Sequence, residues 1–123
     1  MSESLQNTAG LSDLERSVLD VVLAADGDFG AQLRAQAAAA FVASRTPSGV
    51  GFMTKLNVPE GLRIAGRPDD ETLQTVHGTH PALPAGAEFV VQVKSGRLNT
   101  IEAFCYEGMW PGDESRFSVE LRP

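Results

Sequence analysis

The first part of the chain spaces its apolar residues with the period of an amphipathic helix. Apolar side chains recur three or four residues apart from Leu11 to Ala25, which places them on one helix face. Ser12 followed by Glu15 forms a capping box that starts this helix, and Asp26-Gly27-Asp28 is predicted to end it. A second apolar stripe predicts a helix from about Phe29 to Ala40. The short connection predicts that the two helices form an antiparallel hairpin.

From Phe41 onward the pattern has the two-residue period of β-strands. Apolar and polar residues alternate from Val50 to Val58, which predicts a strand with one mostly apolar face. Two β-rich runs flank Ser95-Gly96, and this arrangement is typical of a hairpin. The remaining segments have weaker strand patterns. They predict a short strand at most over Leu62–Ala65, a strand over Thr72–His80, an irregular stretch over Pro81–Gly86, and a last strand over Arg116–Leu121.

Helices at the start followed by strands indicate an α+β fold. We expect an N-terminal antiparallel helical hairpin packed on a mainly antiparallel β-sheet of about five or six strands. Residues 1–10 are polar and without period, so they are predicted to form a flexible arm, and residues 11–123 a single domain.

Charge and cysteine content narrow the class of function. The net charge is −6, and the ten basic residues are scattered singly. Nucleic-acid binding needs clustered cations, so we expect none. One cysteine makes no internal disulfide. No signal peptide is recognisable and no apolar run is long enough to cross a bilayer, so a cytoplasmic protein without membrane contact is expected.

The residues with catalytic or metal-binding chemistry form no recognisable constellation. His77 and His80 lie in a strand-like segment, where residues three apart point to opposite faces. Cys105 stands between two aromatic residues with no local base, which indicates a small buried hydrophobe rather than a nucleophile. We therefore expect no metal and no cofactor.

A candidate binding surface lies near the end of the chain. Glu102 and Tyr106 share one face of a regular strand, and Trp110 follows in a Met-Trp-Pro segment. Arg45 and Lys55 are the cations expected to partner Glu102. Exposed aromatic residues beside an Arg are typical of recognition sites, so the candidate binding residues are Arg45, Glu102, Tyr106 and Trp110. The alternative is that Tyr106 and Trp110 close the end of the core.

Two motifs support a resemblance. The first is a GVGFxT segment and the second a GxLxxxExxxYxxxWP segment, formed here by Gly49, Val50, Gly51, Phe52, Thr54, and by Gly96, Leu98, Glu102, Tyr106, Trp110, Pro111. The chain resembles a family of small uncharacterised bacterial proteins that carry both segments. Ile101 and Ala103 stand where Leu and Gly are usual in that family. The resemblance implies a bacterial α+β domain and no particular reaction.

Three hypotheses for function follow from the sequence. The first is a non-enzymatic domain that binds another protein, of an inhibitor or immunity type, through the sheet and the Tyr106–Trp110 region. The second is a small ligand-binding protein or enzyme with a pocket between sheet and helices, lined by Arg45, Glu102 and a histidine. The third is a homodimer formed through an edge or face of the sheet.

Overall fold

The helices precede the strands along the chain, as the hydrophobic pattern predicts. The computed structural model describes residues 10–25, 27 and 29–122. In these residues helix α1 covers Asp13–Ala24 and helix α2 covers Gly30–Ala39. Short 3-10 turns lie at Glu60–Leu62 and Glu114–Arg116. The strands are β1 (Phe41–Pro47), β2 (Gly51–Asn57), β3 (Asp70–Thr72), β4 (Val76–His80), β5 (Leu83–Lys94), β6 (Arg97–Cys105) and β7 (Ser118–Leu121).

The described strands form one antiparallel sheet in the order β1-β2-β6-β5-β4-β7. The twelve-residue β5 is long enough to pair with two strands on the same side: β4 at its start and β3 at its end. The α+β prediction is confirmed, and the sheet has seven strands rather than five or six.

The two faces of the sheet differ because both helices pack on one of them. α1 lies against β4, β5 and β7, and α2 against β6. The face toward the helices, here called the inner face, is mostly apolar, and Thr54 is a buried polar residue on it. The opposite face, here called the outer face, carries exposed side chains that include Met53, Lys55, Gln92 and Glu102. Fully buried side chains of the inner face include Phe89, Leu98, Ile101, Val76, Val91 and Val93.

The start of α1 is as predicted. The Glu15 backbone N–H donates to Ser12 Oγ at 3.0 Å, and the Ser12 N–H donates to Glu15 Oε1 at 2.9 Å, which is the reciprocal capping box. The predicted terminator, Asp26-Gly27-Asp28, lies outside the described residues except for Gly27, and the predicted arm does so except for Gly10.

Three segments differ from the predictions. Residues 62–65 form no strand, and a 3-10 turn ends at Leu62. The segment from Thr72 to His80 is divided between β3 and β4. Residues 83–86, expected to be irregular, begin β5. Proline has no backbone N–H to donate to a neighbouring strand. Pro84 is nevertheless compatible with β5, because β6 pairs with β5 only from Ala87 onward and no hydrogen bond to β6 is lost at Pro84.

The predicted hairpin at Ser95-Gly96 is confirmed. Ser95 and Gly96 both have positive φ, 51° and 76°, as a two-residue type I′ turn requires. Gln36 of α2 forms hydrogen bonds with the backbone at this turn. Its Nε2 donates to the carbonyls of Leu62 (2.8 Å) and Gly96 (2.9 Å), and its Oε1 accepts from the Leu98 N–H at 2.8 Å.

Candidate functional site

The outer face carries a carboxylate between apolar side chains. The strand register places Glu102 of β6 directly between Met53 of β2 and Val90 of β5. Glu102 is exposed and Met53 is 41% exposed. Within the described residues, no Lys, Arg or His nitrogen lies within 4.0 Å of the Glu102 carboxylate. The centre of this face therefore carries a carboxylate that has no ion-pair partner among the described residues.

Tyr106 extends this surface beyond the end of β6. Its ring meets the half-buried Phe104 ring edge to face, with centroids 5.5 Å apart and planes at 88°. Tyr106 nonetheless remains 61% exposed and Met109 is 76% exposed. Because Phe104 supports one edge of the Tyr106 ring, the ring is held in place while most of its surface stays available for contact.

Trp110 has the structural role that was the alternative prediction. It is half-buried against the core and forms a hydrogen bond from Nε1 to Glu114 Oε2 at 2.8 Å. Its ring stacks on Phe117 at 5.0 Å and meets Phe52 and Phe89 edge to face at 5.6 and 6.0 Å. Trp110 thus closes one end of the core, whereas Tyr106 belongs to the surface.

The segment after β6 is tied down at several points. The Trp110 N–H donates to the Gly49 carbonyl at 2.9 Å, which fixes the segment against the β1–β2 turn. Hydrogen bonds from the Ser115 hydroxyl and N–H hold the pKa of Asp113 below its ordinary value. The Ala82 N–H donates to His80 Nδ1, so Nε2 carries the proton and donates to the Asp113 carbonyl at 2.8 Å. Tyr106 and Met109 are therefore presented from an anchored connection.

Arg45 lies on the inner side of the sheet, away from Glu102. It faces Thr54 across β1 and β2, and its guanidinium binds the buried Glu15 through Nε (3.0 Å) and Nη2 (2.5 Å). The hydrogen bond to Glu15 raises the pKa of Arg45 above its ordinary value. Arg45 pairs with Thr54, and Thr54 pairs with Ile101, so all three lie on the inner face. Glu102 is the next residue after Ile101 and therefore lies on the outer face. The structure thus does not bring Arg45 and Glu102 together.

The two histidines also separate, as expected for a strand. His77 is on the outer face, with Nδ1 3.9 Å from Oε2 of the buried Glu88. Glu88 forms an ion pair with Arg122, which follows β7. This ion pair ties the end of the chain to the sheet. In the described part of the chain, no three His, Cys, Asp or Glu residues are grouped so that they could hold a metal ion.

A cavity of about 430 Å³ lies beside the connection between the helices. The charged side chains that line it, Arg67 and Glu71, are bound to each other. Arg67 binds Glu71 with Nε at 2.8 Å and Nη2 at 2.6 Å, and its guanidinium lies 4.9 Å from the centre of the Phe29 ring. This arrangement is that of a structural contact rather than of an open site.

The sequence predictions missed two residues of the surface, Val90 and Met53. The strand alternation from Val50 to Val58 already separates Met53 from Phe52, and this was the available signal. Val90 lies within a continuous apolar run, Phe89-Val90-Val91, from which no outward side could be assigned.

Comparison with known proteins adds no assignment. Family models, curated proteins and solved structures give no significant match to this chain. The family resemblance stated from the two motifs therefore stays a prediction. Among the described residues, no helix has the length and apolar character needed to cross a membrane.

Proposed function

We propose that this protein is a protein-binding domain, and that its outer face receives a partner segment in which a Lys or Arg is flanked by apolar side chains. The observation that carries the proposal is the unpaired Glu102 between Met53 and Val90. A partner cation would neutralise this carboxylate while its aliphatic stem covers the two apolar neighbours.

The neighbouring aromatic and thioether groups support the same role. Tyr106 and Met109 are large, mostly exposed and held on an anchored connection. Tyr and Met are enriched at protein interfaces because they contribute large contact areas, and a ring fixed in advance loses little conformational entropy on binding. Together with Met53 they supply exposed apolar area for contact with a partner.

Charge complementarity favours a basic partner. Glu107, next to Tyr106, is exposed and, in the residues that the structure describes, has no cation within 4.0 Å. The whole chain has a net charge of −6. Such a charge accelerates association with cationic partners and opposes pairing of two copies of the same chain.

The experiment is a selection of random displayed peptides on the immobilised protein. We expect enriched peptides to contain Lys or Arg next to aliphatic or aromatic residues. Binding of a synthetic selected peptide should weaken about tenfold in Glu102→Gln and in Tyr106→Ala, because each removes a contact worth about 1.4 kcal/mol. Isothermal titration calorimetry measures both changes.

Glu120→Gln is the matched control. Glu120 is also an exposed carboxylate of the outer face, but it lies on β7, three strands from β6, which is about 14 Å. It should bind the peptide like the unchanged protein. The proposal is wrong if no cationic motif is enriched, if Glu102→Gln and Glu120→Gln behave alike, or if sedimentation shows a dimer that Tyr106→Ala dissociates.

A further inference from the structure

The outer face contains a second feature at the opposite end of β6, where β2 and β6 separate. Their pairing ends with Lys55 opposite Thr100, although β2 continues to Asn57 and β6 begins at Arg97. Asn99 is an additional residue in β6, since Val93 faces Leu98 and Gln92 faces Thr100. Such a bulge bends the strand away from its neighbour. A cavity of about 260 Å³ lies at this separation.

The lining of this cavity is cationic. Three of the ten basic residues of the chain contribute to it. Three neutral polar side chains complete the polar lining, and no Asp or Glu among the described residues lines the cavity. These six residues, here called the basic pocket, are Lys55, Asn57, Lys94, Ser95, Arg97 and Asn99.

The charges of the basic pocket are poorly compensated. Within the described residues, neither Lys55 nor Arg97 has a carboxylate within 4.0 Å. Lys94 Nζ lies 3.6 Å from Asp70 Oδ1, but both side chains are well exposed, at 62% and 76%, and such pairs are weak. By contrast, Arg45 and Arg67 each bind a carboxylate at 2.6 Å or less.

Arg97 is held in position by the fold. Its Nη1 donates to the Val58 carbonyl at 3.0 Å, which spans the separation between the two strands. A guanidinium oriented in this way keeps further N–H groups for an oxyanion, and its planar fork suits phosphate oxygens. The amides of Asn57 and Asn99 and the Ser95 hydroxyl add neutral donors.

We propose that the basic pocket binds the phosphoryl group of a small ligand, either free phosphate or a phosphomonoester. Three cations and three neutral donors match an anion that carries about two negative charges and several acceptor oxygens. The net negative charge of the chain does not oppose this, because screening at physiological salt limits each charge to about 8 Å.

The size of the pocket excludes a long polyanion. The cations lie toward the β5–β6 turn end of the outer face. Along β6, Glu102 lies five residues beyond Arg97, about 17 Å, and two residues beyond Thr100, the partner of Lys55, about 7 Å. A phosphate backbone crossing the face would meet that carboxylate. The inference is independent of the proposed protein binding, since the two sites share no residue.

The test is an amide ¹H–¹⁵N titration of the protein at constant ionic strength. Inorganic phosphate is one arm, and glycerol 3-phosphate is the other. We expect saturable shifts confined to residues 55–58 and 94–99, with a dissociation constant of about 1 mM or below. Tighter binding of glycerol 3-phosphate identifies a phosphomonoester, and tighter binding of inorganic phosphate identifies the free anion.

Lys55→Gln should weaken binding about tenfold because it removes one charge-assisted contact. Arg97→Gln should also weaken binding about tenfold. If loss of the Arg97–Val58 hydrogen bond unfolds Arg97→Gln, Lys55→Gln alone tests the proposal. Arg116→Gln, an exposed cation outside the pocket, changes the net charge equally and should bind normally. Absence of saturable shifts up to about 50 mM ligand, or equal weakening in Arg116→Gln and Lys55→Gln, overturns the proposal.

Discussion

At the scale of single residues, Glu15 joins the helices to the sheet. Its carboxylate accepts the Ser12 N–H at the start of α1, the Arg45 guanidinium from β1 and the Thr54 hydroxyl from β2. The side chain is fully buried. A buried carboxylate is stable only when such donors replace its hydration, so this one residue fixes how α1 is seated on the sheet.

Glu15→Ala is expected to lower the free energy of unfolding by about 2–4 kcal/mol. About 1 kcal/mol comes from the lost hydrogen bond of the Ser12 N–H to the Glu15 carboxylate, and the rest from leaving the buried Thr54 hydroxyl without its acceptor. Arg45 adds little because its side chain is 37% exposed and regains water. Chemical denaturation monitored by circular dichroism measures the loss. Asp20→Ala, exposed on the same helix, is the control, and equal stability of the two variants would contradict the prediction.

At the scale of elements, the β5–β6 hairpin depends on a residue without a side chain at its turn. A Cβ on Gly96 would lie 2.3 Å from the Ile64 carbonyl oxygen, and the backbone has a positive φ of 76°. The turn is therefore both left-handed and packed against the preceding connection. This close contact also holds the end of the outer face where the basic pocket lies.

Gly96→Ala should destabilise the protein by more than about 1–2 kcal/mol, the cost of a left-handed conformation in a residue with a Cβ. The collision with Ile64 adds to this cost. Gly61→Ala is the control, because a Cβ there meets no atom within 4 Å and the φ is not positive. The midpoint of urea unfolding should fall for Gly96→Ala alone. A midpoint equal to that of Gly61→Ala would refute the steric argument.

The strength of local signals explains which elements were predictable. The capping box before α1 and the Ser95-Gly96 turn are set by a few adjacent residues, so their sequence signatures were sufficient. The start of β5 was not predictable. It contains Pro84, and its place in the sheet depends on pairing with β4 and on the absence of β6 on the other side.

At the scale of the whole molecule, the sheet is covered on one face and open on the other. On the open face, Lys55, Lys94 and Arg97 lie toward the β5–β6 turn, Glu102 lies at the centre, and Glu107 follows the other end of β6. β5 and β6 form the centre of the sheet and carry most of the buried apolar side chains that the strands contribute, whereas β1 is an edge strand with mostly exposed side chains.

Native-state hydrogen exchange should follow this arrangement. We expect the slowest amides among the hydrogen-bonded residues of β5 and β6 to open with a free energy close to that of global unfolding. Hydrogen-bonded amides of β1 should exchange at least about a hundredfold faster, because an edge strand with few buried contacts opens locally. Exchange followed by NMR measures both, and equal protection of β1 and β6 would contradict the prediction.

The position of Trp110 shows why part of the site could not be predicted from the sequence. The alternation along β6 predicts Glu102 and Tyr106 on one side of the sheet, and in the structure both side chains are exposed. Whether Trp110 lies in the core or on the surface depended on Phe52, Phe89 and Phe117. Phe52 and Phe89 are distant from Trp110 in sequence, so the local pattern around Trp110 carried no information about their contact.

The amino-acid order alone was enough for the helices, the hairpin and the α+β class, because helix caps, turns and hydrophobic periods act between neighbouring residues. The pairing of Arg45 with Glu15, rather than with Glu102, required the register of β1 on β2 and the seating of α1. The gathering of singly scattered cations into the basic pocket required the separation of β2 from β6. Both are long-range events, and only the folded chain brings their residues within reach of each other.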